Sequence, residues 1–178
     1  VESAAPYLLD LNIKCSETVN LSEPHGNDMI FTVSYPGRLQ ISVQLPVGGC
    51  YPIYCTAAGR ALLSGLPRAR AKDIIDRSEV HSYTPATVTD KAQILALVDE
   101  ARHAGFAFAL GEFFRGDINI AAPVFGVDGQ AVAAVGVSVP VTRWTFEDAC
   151  AQIAPQVSQV AQTISSLFSS RRPVDTGA

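Results

Sequence analysis

Few residues in this chain are equipped for chemistry. Cys50 and Cys55 lie five positions apart around Tyr51-Pro52-Ile53-Tyr54, and a bend there would bring two thiols together as a small thiol reductase requires. Without the bend they are two packed thiols. Cys15 and Cys150 bring the total to four, too few and too irregularly spaced for the disulfide lattice of a small secreted domain, so all are expected to be reduced. His25, His81 and His103 complete the metal-ligating set, but no Cys-x-x-Cys or His-x-x-x-His spacing occurs, and neither a metal nor another cofactor is expected. Nor does the chain carry a Gly-x-Ser-x-Gly elbow or a phosphate-cradling glycine loop, since Gly126-Val127-Asp128-Gly129 has the composition of a hairpin turn. Asn20-Leu21-Ser22 has the form of a glycosylation acceptor, but it falls in a strand-like run of a chain without an export signal. Catalysis is not expected.

What remains is a place to bind. Thr56 caps a predicted helix whose first residues, Ala57 and Ala58, have small side chains that leave their N–H groups approachable, and helix starts attract anions. Close packing of that helix on a sheet would select the same small residues, and spacing alone leaves both explanations open. A second candidate face carries Asn119, Gly136 and Ser138 on a predicted hairpin.

The elements that must position these groups follow from periodicity. Residues 3–14 carry Ala4, Leu8 and Leu11 at helical spacing, with Pro6 in the first turn. Residues 17–22 and 28–35 alternate in polarity around His25-Gly26-Asn27, and Leu39, Ile41, Val43 and Leu45 alternate with Gln40, Ser42 and Gln44, which predicts a three-stranded antiparallel meander. Helices are predicted from Thr56 to about Gly65, over 68–77 and over 90–104, the last opened by Asp90 and closed by Gly105. Phe106–Leu110 reads as a strand. Ile118–Val139 reads as a hairpin about a two-residue Asp128-Gly129 turn, pairing Asn119 with Ser138 and Ala121 with Gly136 while Ile118, Ile120, Val135, Val137 and Val139 take the opposite face. A long amphipathic helix over 145–170, opened by Thr145 and Asp148 and kinked or split by Pro155, closes the domain, with a frayed tail over 171–178.

Composition limits the partners. The 178 residues carry 13 Lys and Arg against 17 Asp and Glu, a net charge of -4, which offers no basic field for a nucleic-acid backbone. With 48% hydrophobic and 17% charged residues the chain is expected to fold as a single domain, and a mean hydropathy of +0.20 suggests apolar surface that meets a partner. No apolar stretch is long enough for a membrane helix, and the expected compartment is the cytoplasm. Because Val1 is not Met and helical spacing begins at once, the chain is expected to be one domain of a longer protein.

Tyr51-Pro52-Ile53-Tyr54-Cys55-Thr56-Ala57-Ala58-Gly59-Arg60-Ala61 resembles the Leu-Pro-x-x-x-Thr-Ala-x-Gly-Lys-Ala segment of the effector-binding domain of IclR-type transcription regulators. Glu17-Thr18-Val19-Asn20-Leu21, Gly105-Phe106-Ala107, Ile120-Ala121-Ala122-Pro123-Val124-Phe125, Asp128-Gly129, Val137-Ser138-Val139-Pro140 and Arg143 follow in the family's order. The resemblance implies an α+β, GAF-like or profilin-like fold, an antiparallel sheet of about six strands with helices packed on its faces. It also implies a preceding winged helix-turn-helix, absent from these 178 residues, with residues 1–14 as the entering linker helix. The domain would sense a small organic acid, with an aromatic acid hinted at, would form a homodimer or homotetramer, and would meet DNA only through that missing part. Carried over position by position, the family pocket comprises Val43, Tyr51, Ala57, Ala58, Ala109, Asp117, Asn119, Gly136 and Ser138. Family members often have an acidic residue at 109, Cys at 119 and Ser at 136, so the polar set here is thinner. The alternatives are a GAF-like thiol reductase using Cys50 and Cys55, or a purely structural dimerisation domain.

Overall fold

The computed structural model describes residues 2–169. The elements run α1 (Ala5–Cys15), β1 (Thr18–His25), β2 (Asp28–Tyr35), β3 (Cys50–Pro52), α2 (Ala57–Ser64), α3 (Arg68–Arg77), α4 (Lys91–Ala104), β4 (Ala107–Leu110), β5 (Asp117–Phe125), β6 (Ala131–Pro140), α5 (Phe146–Gln152) and α6 (Ala154–Ser169). All six strands join one sheet in the order β3-β2-β1-β6-β5-β4, with every neighbouring pair antiparallel. One face packs on α2, α3 and α4 through Met29, Ala61, Leu62, Ile75, Ile94, Val98 and Ala121. The other packs on α1, α5 and α6 through Leu8, Leu11, Ile118, Ile120, Val135, Val137, Ile153 and Val157. The α+β expectation holds, and the tail over 171–178 lies outside the described residues.

The third strand is not where alternation placed it. Residues 39–45 form an irregular segment, and Leu39 and Ile41 are exposed by 45% and 60%. Alternation makes a strand only where a neighbour offers free backbone groups and a face to bury against. Here the open edge of β2 is taken by Cys50–Pro52, which pairs with Asp28–Ile30. The irregular segment is instead held over the start of β1, where the Thr18 hydroxyl donates to the Val43 carbonyl at 2.6 Å and accepts from Gly37 N–H at 3.0 Å.

The β5–β6 hairpin has the predicted register and a different turn. Asn119 opposes Ser138 and Ala121 opposes Gly136. At the tip, however, Gly126 N–H donates to Gln130 O at 2.8 Å, Gly129 N–H donates to Gly126 O at 3.1 Å, and Gly129 is left-handed at φ +75°. That is a type I turn closed by a glycine bulge, a three-residue loop that alone would reverse the faces of one arm. A second irregularity corrects it, because Val132 is skipped between the pairs Phe125 with Ala131 and Val124 with Ala133.

The C-terminal helix is split at Ile153 into α5 and α6, since Pro155 cannot supply the N–H that would continue the ladder. Thr145 caps α5, its hydroxyl accepting from Asp148 N–H at 3.1 Å and donating to the Asp148 carboxylate at 2.9 Å.

Candidate functional site

Between the start of α2 and the middle of the sheet lies a cleft of about 30 Å³ lined by Asn20, Phe31, Ala57, Ala58, Asn119, Ala121, Gly136 and Ser138 together with Ile120 and Val137. Five of the nine residues singled out from the sequence meet here: Ala57, Ala58, Asn119, Gly136 and Ser138. Asp117 stands beside them through a hydrogen bond. Tyr51 adjoins the cleft through Phe31, their ring centroids 4.8 Å apart. Val43 and Ala109 do not line it. Val43 lies in the irregular segment, contributing its carbonyl to Thr18, and Ala109 is buried on β4 opposite Asn119.

The small residues at the start of α2 turn out to be small for two reasons. A β-carbon on Gly59 would fall 2.0 Å from the Ile53 carbonyl oxygen, so glycine there is required by packing. Ala57 and Ala58 instead form part of the cleft wall. The Thr56 hydroxyl accepts from Gly59 N–H at 3.2 Å, and the first ladder bond runs from Arg60 N–H to Thr56 O at 3.0 Å. The N–H groups of Ala57 and Ala58 precede that ladder and carry the positive end of the helix dipole.

Across from them the polar groups form a chain along the β5–β6 pair. Ser138 donates its hydroxyl proton to Asn119 Oδ1, and Asn119 Nδ2 donates to Asp117 Oδ2 at 2.9 Å. The direction is set by the carboxylate, which in its charged form can only accept. Among the described residues two buried side-chain acceptors have no partner, Asn20 Oδ1 and Asp117 Oδ1. Burial pushes the Asp117 carboxyl up to about 6 against the downward pull of its bond from Asn119. Asn20 and Phe31 were not singled out from the sequence. Their positions become visible only once β1 is known to pair with both β6 and β2, because nothing local marks a strand Asn as facing a cleft.

One ion pair holds the surroundings in place. Arg60 on α2 is buried and binds the Glu112 carboxylate through two N–H groups at 2.6 and 2.7 Å, while also donating to the carbonyls of Tyr54 and Phe108. Glu112 in turn accepts from Val88 N–H at 3.2 Å and, through its carbonyl, from the Thr87 hydroxyl at 2.6 Å. Among the described residues no group of three His, Cys, Asp or Glu side chains is placed to hold a metal ion, and no helix is long and apolar enough to cross a membrane.

An antiparallel sheet with helices on both faces, around a small polar cleft at a helix start, is the architecture of an effector-binding domain of bacterial transcription regulators. The chain belongs to the IclR family, its residues 1–166 matching the family described as bacterial transcriptional regulator IclR, C-terminal. It is 32% identical over 144 residues to the Pca regulon regulatory protein of Pseudomonas putida, a stretch covering 80% of this chain and 50% of that protein. The chain thus spans about half the length of that relative. The crystal structure of RHA06195 from Rhodococcus sp. RHA1 is similar at a TM-score of 0.90 and 28% identity, covering 96% of this chain and 70% of that one. A double mutant of the PobR inducer-binding domain from Acinetobacter, in complex with 3-hydroxybenzoic acid, shares the fold at a TM-score of 0.83 and 24% identity, covering 93% and 97%.

Proposed function

We propose that the cleft senses a small, partly apolar organic acid bearing a hydroxyl donor, and that its occupancy controls operator binding through a DNA-binding segment outside these 178 residues. The observation that carries this reading is the imbalance of the polar groups. Asn20 Oδ1 and Asp117 Oδ1 are buried acceptors without donors, and Ser138 has spent its proton on Asn119. Buried acceptors left unpaired are costly, so the cleft favours a ligand that brings a donor. The N–H groups of Ala57 and Ala58, opposite, favour a carboxylate. No Lys or Arg lines the cleft, so the anion would be held by backbone. The bound hydroxybenzoic acid of the PobR domain is of this chemical class.

A sensor rather than a thiol reductase fits the cysteines. Cys50 is exposed, whereas Cys55 is buried and pushed up to about 12, mainly by burial, which opposes formation of a thiolate. Self-association as a dimer or tetramer is part of the same reading, supported by the exposed side chains of Leu9 and Ile13 on α1.

Thermal denaturation in the presence of 3-hydroxybenzoate, benzoate and 3-hydroxybenzamide tests the site. At 100 times its dissociation constant a ligand adds about 2.7 kcal/mol, a rise of roughly 5–10 °C for a domain of this size. Hydroxybenzoate is expected to exceed benzoate, and the amide to have no effect. Stabilisation by neutral compounds alone, or binding that survives Ala58→Asp and Asn119→Leu, would overturn this placement.

A further inference from the structure

We propose that Tyr51, Phe113 and Phe114 form a displaceable aromatic clasp that closes this cleft, an inference that rests on reading the cleft as the effector site. β3 and β4 are the two edges of the sheet. Yet Tyr51, on β3, lies 5.2 Å from Phe113 and 5.5 Å from Phe114 between ring centroids, and both phenylalanines belong to the loop that follows β4. The sheet therefore curls until its edges meet through these rings. They meet over the face that carries the cleft, because Tyr51 pairs with Met29 of the core beneath α2 and packs on Phe31 of the cleft wall.

The cleft of about 30 Å³ holds no more than a water molecule or so, whereas small-molecule sites run to roughly 300–1,000 Å³. For an acid with a ring to enter, one wall has to yield. The strands are tied by their ladders, and α2 is fixed by the contact of Gly59 with Ile53 and by the Arg60–Glu112 pair. The clasp meets the cleft lining at Phe31 and is held by ring contacts, Phe113 also packing on Tyr83 with centroids 4.6 Å apart. Between Glu112, anchored by its ion pair, and Gly116, whose carbonyl accepts from Val141 N–H at 3.0 Å, the residues Phe113, Phe114 and Arg115 make no backbone–backbone hydrogen bond among the described residues. Gly116 is left-handed at φ +83°, a pivot that an L side chain would strain. Phe114 is 37% exposed even when closed. A swing of these three residues about Gly116 parts Tyr51 from the phenylalanines, and Phe113 from Tyr83, and enlarges the cleft while leaving the Glu112 anchor intact.

The test needs no effector. Ser138→Cys places a nearly isosteric thiol on the cleft floor, and its alkylation by iodoacetamide, followed by peptide mass spectrometry, reports how often the cleft opens. Exposed Cys50 and buried Cys55 serve as internal references, the second for global unfolding. On this background Phe114→Ala and, from the opposite edge, Tyr51→Ala are each expected to speed alkylation at position 138 roughly tenfold, with Cys55 unchanged. A rate at position 138 that ignores both substitutions, or rises only in step with Cys55, overturns the clasp. A cleft that opens as described but takes up no acid overturns the effector reading and leaves the clasp standing.

Discussion

Asn20 and Gly136 face each other across the β1–β6 pair, and the Asn20 amide fills the space where a side chain at 136 would begin, a β-carbon there falling 2.7 Å from its Oδ1. Gly136→Ala is therefore expected to cost about 1–3 kcal/mol through overpacking, and Asn20→Ala to remove most of that cost. A double-mutant cycle by urea denaturation measures the coupling. Strictly additive effects would show that the two positions do not share this space.

Asp117 gives the domain a pH dependence of definite sign. Its folded-state carboxyl, pushed up to about 6, keeps a proton over the range from about pH 4 to 6 in which the unfolded chain has released it. Its contribution to stability is thus fully present below about pH 4 and lost as pH rises through 6. Asp117→Asn is expected to gain in stability over the unaltered chain between pH 5 and pH 7.5, by an amount on the order of 1 kcal/mol, read as a widening difference in melting temperature. An acid bound beside Asp117 would bind less tightly above about pH 6, because its charge favours the protonated carboxyl. A melting difference that is flat with pH contradicts the assignment.

Arg60 and Glu112 have side chains exposed by only 1% and 6%, so removing one strands the other. Glu112→Ala is expected to lower stability by about 3–5 kcal/mol. Arg60→Lys keeps the charge but cannot reach both carboxylate oxygens and the carbonyls of Tyr54 and Phe108 together, so it too should destabilise. Urea midpoints close to those of the unaltered chain would show that the pair is dispensable.

Leu9 and Ile13 stand one helical turn apart on α1, exposed by 39% and 51%. Sedimentation at tens of micromolar is expected to show a dimer or tetramer that dissociates on Leu9→Glu with Ile13→Glu. A monomer before any substitution would remove α1 as an interface.

Much of the fold was legible because local pattern and tertiary context agree. The alternation of Ile118, Ile120, Val135, Val137 and Val139 demanded one buried face, and that demand fixed the hairpin register although the turn was of another type. The same signal failed at residues 39–45, where no strand edge was left to pair with. In the cleft, Ala57, Ala58, Asn119, Gly136 and Ser138 could be placed from helix capping, hairpin register and family resemblance. Asn20 could not, because it depends on the pairing of β1 with β6, which are separated by more than 100 residues. Nor could the meeting of Tyr51 with Phe113 and Phe114, which depends on how far the whole sheet curls.

The hairpin tip is where this segment can change length during evolution without moving the cleft. Its three-residue loop and the skipped Val132 each reverse the facing of the strand, and together they cancel. Deleting Val132 alone would leave the pairs Phe125 with Ala131 and Val124 with Ala133 in place, removing the bulge while Ser138 still faces Asn119. Single-residue insertions and deletions between Val124 and Ala133 should therefore be absorbed at the tip as a change of turn or bulge, and the cleft-bearing pairs beyond it should keep their register.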